Sequence, residues 1–149
     1  MRDAIVELQD CERHLHASRL AGEDIADRHL DWMQQRSNAA GVSLVAEVDG
    51  TFAGFVAGWI GQADNIAETI EANRFGLISY LCVLPAFLGR RIATRLPAEI
   101  ERHLRQAGIV RLRINALASN ASAHASYRRA GCVPYEILHE KPIGSVGDE

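Results

Sequence analysis

The chain has 149 residues, of which 48% are apolar and 23% charged, and its net charge is −3 at pH 7. This length allows one domain with a single sizeable core, and the composition is that of an ordinary globular protein. The slight negative charge gives no reason to expect nucleic acid or an anionic membrane as a partner, and no apolar run reaches the roughly 20 residues of a membrane span. We therefore expect one domain over residues 1–149, without a nucleic-acid or membrane partner.

The N-terminal residues and the cysteines both predict a cytoplasmic location. Residues 1–16 contain several charges and lack the continuous apolar stretch of a signal peptide. Cys11, Cys82 and Cys132 are odd in number and far apart, so they imply no disulfide framework.

Two predicted helices open the chain. Apolar residues recur at helical spacing over residues 3–20, and Gly22 separates them from a second helical stretch over residues 23–35. Glu23 and Asp24 suit the positive N-terminus of the second helix.

A β-hairpin is predicted next. Every second residue of the segment 42–48 is apolar, which is the pattern of a buried strand face. Asp49-Gly50 is a strong two-residue turn signal because both residues tolerate positive φ. The partner strand runs over Thr51–Ile60, and residues 61–74 form a polar excursion with a helical turn at Ile66–Ala72.

The second half of the chain alternates strands and helices. The apolar run 77–84 is typical of a central strand covered on both faces. A four-residue apolar repeat then predicts a helix from Ile92 to Gly108. Three further elements are predicted after it: a half-buried strand over 110–115, a helix over 121–130 and a last strand over 133–141.

Strands separated by helices need crossover connections, so part of the sheet is predicted to be parallel. The fold class is therefore α/β or α+β, with a mixed central sheet flanked by helices.

The turn after the central strand has the features of a phosphate-binding loop. Residues 83–94 form a strand, a tight turn containing Gly89, and the start of a helix. The first N–H groups of a helix lack internal partners and its dipole adds partial positive charge, so a pyrophosphate suits this place. Arg90 and Arg91 supply charge-assisted contacts. The alternative is an ordinary strand–turn–helix connection with two solvated arginines.

This loop resembles the acetyl-CoA pyrophosphate loop of the GNAT acetyltransferases, (Gln/Arg)-x-x-Gly-x-(Gly/Ala). Leu88 takes the Gln/Arg position, Arg91 the first Gly and Ala93 the closing Gly/Ala, and Val83 and Pro85 ahead of the loop also suit the family. Arg91 thus replaces a glycine that usually lets the phosphate approach the backbone closely. The resemblance implies that the phosphates bind at Leu88, Gly89, Arg90, Arg91, Ile92, Ala93 and Thr94.

A second motif lies at residues 120–132. Asn120, Ala123, Tyr127 and Gly131 resemble the family pattern Asn-x-x-Ala-x-x-x-Tyr-x-x-x-Gly-Phe, with Cys132 in place of Phe. The resemblance implies that Asn120 contacts the pantetheine arm and that the Tyr127 phenol protonates the leaving thiolate. Alternatively, Tyr127 is an ordinary half-buried aromatic and Asn120 only an N-cap.

Together the two motifs imply the GNAT acyl-CoA N-acyltransferase fold over roughly residues 1–141. In this fold acetyl-CoA, the co-substrate, lies between two central strands that splay apart. Backbone groups of Leu81 and Val83 then bind the pantetheine, and the Leu81 N–H stabilises the oxyanion. The implied activity is transfer of an acetyl group to an amine of a small molecule or protein, by direct attack in a ternary complex.

The family opens with a β-strand, whereas this sequence starts in helix-like residues at Arg2. We expect that the first strand is missing or that the start codon is placed late. A missing strand exposes a sheet edge, which invites pairing with another chain, so we expect a homodimer.

No general base stands out. Some relatives carry a glutamate on the central strand, where this chain has Leu-Ile-Ser-Tyr at 77–80. A water chain or a more distant carboxylate is left for this role: Glu23, Asp24, Glu47, Glu68 or Glu71. The missing acid, together with Leu88 and Arg91, favours the alternative function of a degenerate acyl-CoA-binding regulatory module without turnover.

Three other features are weighed against structural explanations. His14 and His16 are two residues apart and do not share a helix face, so we expect no metal. Cys82 on the central strand is better explained as a small buried residue than as a nucleophile. Trp32 and Trp59 either pack the core or line the acceptor pocket.

Overall fold

The computed structural model describes residues 1–143. The elements in chain order are α1 Arg2–Leu15, α2 Gly22–Ala40, β1 Gly41–Val48, β2 Thr51–Gln62, α3 Ile70–Asn73, β3 Arg74–Val83, α4 Ile92–Gln106, β4 Leu112–Ile114 and α5 Ala121–Arg129. A short 3₁₀ turn at Pro85–Phe87 precedes α4. No helix within residues 1–143 is both long and apolar enough to cross a membrane.

The four strands form one mixed sheet in the order β1-β2-β3-β4. β1, β2 and β3 are antiparallel neighbours, and β4 pairs with β3 in parallel. The hairpin turn is confirmed at Asp49 and Gly50, whose φ angles are 51° and 73°. The predicted mixed sheet with flanking helices is therefore confirmed.

Helices cover both faces of this sheet. On one face, α1 and α2 bury Ile5, Ile25 and Met33 against Phe55 and Tyr80 of the strands. On the other face, α4 buries its four-residue repeat against β2 and β3, through Ile92, Leu96, Ile100 and Leu104. β3 is thus covered on both sides, as its apolar run predicts.

Several helices and strands end at residues other than the predicted ones. α1 ends at Leu15, five residues before the predicted end at 20, whereas α2 continues to Ala40. β2 continues to Gln62, and the turn expected at Ile66–Ala72 is a short helix, α3, in which the Ala72 N–H donates to the Thr69 hydroxyl. These shifts lie at element ends, where the apolar period no longer decides the conformation.

The predicted last strand over 133–141 is wrong, because those residues belong to no helix or strand. Val133 and Leu138 are 80% and 92% exposed. A strand needs a ladder partner: β4 pairs through only three residues, and Pro134 has no N–H to donate. The strand predicted over 110–115 is likewise shortened to β4.

Candidate active site

The loop between β3 and α4 presents a row of free backbone donors. Within the described residues, no N–H of residues 89–93 donates a hydrogen bond. Gly89 and Arg91 have φ angles of 78° and 62°, and α4 begins immediately after them. A long helix whose first amides are unpaired has a positive N-terminus that suits an anion.

Two of the seven predicted loop residues do not contribute free amides. The Leu88 N–H donates to the Pro85 carbonyl at 3.2 Å, and the Thr94 N–H donates to the Arg91 carbonyl at 3.2 Å. The five residues between them keep their donors available. The free amides therefore span residues 89–93, whereas phosphate binding is predicted over residues 88–94.

Arg91 occupies a backbone position that favours glycine. Its φ of 62° lies in the left-handed region, which costs a residue with a Cβ about 1–2 kcal/mol. The alignment with the family motif places a glycine at this position. The backbone conformation therefore supports that alignment independently of residue identity.

The surroundings of the loop are basic. Arg90, Arg91 and Arg95 are exposed and form no ion pair within the described residues. The Arg90 guanidinium lies 5.7 Å from the centre of the Phe87 ring. These three cations are available to a phosphate-bearing ligand.

β3 and β4 pair over a short segment and separate after it. Their register runs from Gly76↔Leu112 to Ile78↔Ile114 and stops there. β3 continues to Val83 with β2 on one side and no strand of the described residues on the other. A wedge-shaped opening therefore lies beside the second half of β3.

A β-bulge at Ser79 changes which residues of β3 face this opening. In the β2 pairing, Ala57 faces Tyr80 but Gly58 faces Ile78, so Ser79 has no partner. Beyond the bulge, the Leu84 N–H donates to Ala53, and alternate residues of an antiparallel strand face the same neighbour. Leu81 and Val83 therefore direct their N–H and C=O groups away from β2, into the opening.

The second motif forms α5 and both of its caps. The Asn120 side chain accepts a hydrogen bond from the Ala123 N–H at 3.0 Å, so its N-cap role is confirmed. Gly131, with φ 87°, ends the helix, and the Cys132 N–H returns to the Tyr127 carbonyl at 3.0 Å. Capping engages the Asn120 oxygen and leaves its NH₂ group available to a ligand.

Tyr127 lies half-buried on α5. Its hydroxyl has no hydrogen-bond partner among residues 1–143. Burial raises the pKa of Tyr127 above its usual value of 10.0. The phenol is therefore protonated at neutral pH, which is the state that a general acid requires.

The family model for "Acetyltransferase (GNAT) family" matches residues 3–132 of this chain. The chain belongs to the GNAT acetyltransferase family. The protein is accordingly an acyltransferase, and a general N-acetyltransferase role is established. Among curated proteins, none matches its sequence.

Several solved GNAT structures share the fold. A GCN5-related N-acetyltransferase from Ralstonia eutropha JMP134 superposes with a TM-score of 0.72 at 18% identity, covering 96% of this chain and 93% of that one. The aminoglycoside 6'-N-acetyltransferase AAC(6')-IG from Acinetobacter haemolyticus gives 0.67 at 22% identity, covering 95% and 92%. AAC(6')-Iy in complex with CoA gives 0.67 at 18% identity, covering 97% and 92%.

The carboxylates considered as a general base are placed poorly for that role. Glu23 pairs with Arg2 at 2.9 Å, and Glu68 pairs with Arg111 at 3.8 Å and accepts from the Tyr135 hydroxyl. Glu71 lies in the first turn of α3, where backbone and side-chain hydrogen bonds to its carboxylate lower its pKa. Asp24 and Glu47 are exposed.

His29 on α2 is a candidate proton acceptor that neither sequence motif indicates. Its ring on α2 packs edge-on against Tyr80, with ring centres 5.7 Å apart, and Tyr80 precedes Leu81 on β3. Burial lowers the pKa of His29 below 6.5, so its imidazole is unprotonated at neutral pH. In the sequence it is indistinguishable from the other residues on the inner side of α2.

Cys82 is buried on β3, as expected of a packing residue. Burial raises the pKa of its thiol to about 11, and its Sγ lies 3.4 Å from the Ala4 carbonyl oxygen. A thiol held in its protonated form is a poor nucleophile.

Proposed function

We propose that this GNAT protein moves the acetyl group of acetyl-CoA to an amine of a small molecule or protein, by direct attack in a ternary complex. The observation that carries the proposal is the row of unpaired amides at residues 89–93, at the start of α4. The diphosphate of the co-substrate is the ligand that such a row favours. The basic residues Arg90 and Arg91 support the same placement.

From this anchor the pantetheine would follow β3 into the opening beside β4. The free backbone groups of Leu81 and Val83 support this path, because an extended amide-containing chain can pair with them as a strand would. Asn120 would contact the same arm through its free NH₂. The thioester then lies near Leu81, whose N–H can stabilise an oxyanion.

The neutral amine attacks the thioester carbonyl, a C–N bond forms, and the negative charge on the carbonyl oxygen rests on the Leu81 N–H. When the C–S bond breaks, the Tyr127 phenol gives its proton to the sulfur, and the amide and free CoA thiol leave. The proton released by the amine nitrogen passes to His29, directly or through water, and solvent restores Tyr127.

The role of His29 predicts the pH dependence of kcat at saturating acceptor. His29 accepts a proton only when unprotonated, so kcat should fall as the pH drops through its depressed pKa, below 6.5. His29→Gln is expected to lower kcat at pH 7.5 by about 10²-fold and to abolish this acidic limb. His139→Gln, at an exposed histidine, should change neither. An acidic limb that persists in His29→Gln would assign the proton to another acceptor.

The decisive experiment measures binding first and turnover second. Acetyl-CoA is expected to raise the melting temperature, since a ligand that binds only the folded state stabilises it. Release of the CoA thiol in the presence of a panel of amines then reports transfer. No thermal shift at millimolar acetyl-CoA would contradict the proposal.

The second candidate is an acyl-CoA-binding regulatory module without turnover. Arg91 at a glycine position and the lack of a carboxylate on β3 favour it. Thermal stabilisation by acetyl-CoA without thiol release for any amine would support this module over the enzyme.

We also propose a homodimer of single-domain chains in the cytoplasm. β1 is an edge strand with Val45 46% exposed, and an unpaired edge invites a second chain. The exposed apolar side chains Val133, Ile137 and Leu138 offer further surface to cover. Sedimentation equilibrium distinguishes this dimer from a monomer.

A further inference from the structure

A cavity of about 460 Å³ lies at the end of the sheet away from the phosphate loop. Its walls come from the second half of α2, the end of β2 and the start of β3, namely Trp32, Arg36, Trp59, Ile60, Gly61, Gln62, Phe75 and Leu77. This volume falls within the range of about 300–1,000 Å³ that is usual for small-molecule sites.

Aromatic rings form much of the wall. Trp32 and Trp59 meet edge to face with ring centres 4.9 Å apart, and Trp32 remains 40% exposed. Phe75 lies so close to Gly61 that a Cβ there would meet its ring at 2.7 Å. A half-exposed tryptophan beside two further rings offers flat apolar surface to a ligand.

The charge of the cavity is positive. Arg36 is the one charged residue that lines it within residues 1–143, and its guanidinium lies 5.3 Å from the centre of the Trp32 ring. Arg36 has no carboxylate partner among the described residues. A second guanidinium, that of Arg113, lies 3.8 Å from the centre of the Phe75 ring. A ligand carboxylate can pair with Arg36, whereas a polycation meets like charge.

The cavity adjoins the proposed reaction centre through β3. Leu77 in its wall precedes Leu81 by four residues, which is about 13 Å along a strand. Tyr80, next to Leu81, packs against both tryptophans, with ring centres 6.2 and 6.4 Å apart. Trp32 thus contacts both Arg36 and Tyr80, so a ligand held between Arg36 and Trp32 lies beside the residue that precedes Leu81.

We infer that this cavity is the acceptor subsite and selects a small primary amine that carries a flat apolar body and a carboxylate. The inference rests on the proposed function, because it assigns the acceptor of that reaction. It separates this chain from its aminoglycoside-acetylating structural neighbours, since aminoglycosides are polycations and no acidic side chain of the described residues lines the cavity.

The chain contains two tryptophans in all, and both line the cavity. Intrinsic tryptophan fluorescence therefore reports occupancy without any need for turnover. The matched probes are para-(aminomethyl)benzoate and benzylamine, which differ by one carboxylate. We expect saturable quenching by the first, with a Kd about 10-fold or more below that of benzylamine, as for one charge-assisted pair.

Variants test which groups are responsible. Arg36→Ala should remove the preference for the carboxylate and raise the Kd of para-(aminomethyl)benzoate about 10-fold or more. Arg28→Ala, which removes an exposed arginine from the same helix, should leave that Kd unchanged. With acetyl-CoA present, the carboxylated amine should show the higher kcat/KM of the pair, and Arg36→Ala should abolish the difference.

The outcomes separate this inference from the proposed function. Quenching that depends on Arg36, together with thermal stabilisation by acetyl-CoA but thiol release for no amine of the panel, would support the assigned ligand class and contradict the enzyme. Thiol release with other amines, without quenching by para-(aminomethyl)benzoate, would overturn the inference and leave the enzyme standing. Tighter binding of the polycation neamine than of the carboxylated amine would overturn it as well.

Discussion

Tyr127→Phe is expected to lower kcat for acetyl transfer by about 10²-fold or more while leaving the Kd of acetyl-CoA within about twofold. The ring keeps its half-buried packing on α5, so the variant loses only the phenolic proton. Burial already holds that proton on the oxygen at neutral pH. The rate of CoA thiol release at saturating substrate concentrations gives kcat, and calorimetry gives the Kd of acetyl-CoA.

Tyr135→Phe is the matched control. Tyr135 is 54% exposed and its hydroxyl donates to Glu68, outside the proposed site. We expect its kcat to stay within about twofold of the unsubstituted protein, as is usual for exposed positions. A Tyr127→Phe enzyme with undiminished kcat would instead show that solvent protonates the leaving thiolate.

Sequence patterns predict the elements that depend on local order. The four-residue repeat from Ile92 to Leu104 is buried throughout against the sheet, because a helical period determines which face is covered. Asp49-Gly50 similarly determines its hairpin, since the turn type depends on two residues that accept positive φ.

Features that depend on pairing between distant segments are not encoded locally. The bulge at Ser79 exists only in the register of β3 against β2, although a lone polar residue in an apolar run is a faint sign of it. The segment 133–141 has the composition of a strand but pairs with no strand of residues 1–143. A strand needs a neighbouring strand to pair with as well as a suitable composition, so the composition of this segment alone gives a wrong prediction.

In the candidate site, too, the sequence predicts the local features and misses those that depend on the fold. Its motifs identify the phosphate loop, but only the conformation shows that the Leu88 amide is engaged and that Arg91 takes a left-handed φ. Trp32 and Trp59 are 27 residues apart in the chain, and the sequence leaves open whether they fill the core or line a pocket. The structure shows both roles in one edge-to-face pair. Trp59 is buried in the core, whereas Trp32 is half-exposed in the wall of the cavity.

Ala93→Pro should weaken acetyl-CoA binding by about 10- to 100-fold, the value of one hydrogen bond to a charged group. The substitution deletes one of the free N–H groups and adds no charge. Proline is tolerated in the first turn of a helix because the amide there has no internal partner. The Ala93 N–H donates no bond within the described residues, so α4 should lose none of its own. Calorimetric titration with acetyl-CoA gives the Kd.

Ala93→Gly separates the loss of the donor from a weaker helix. Glycine destabilises α4 by about 1 kcal/mol relative to alanine but keeps the N–H, so its Kd for acetyl-CoA should remain near that of the unsubstituted chain. Circular dichroism of both variants checks that the helices persist. If folded Ala93→Pro bound acetyl-CoA as tightly as Ala93→Gly, the amides before α4 would not be the diphosphate anchor, and the loop would be a connection with solvated arginines.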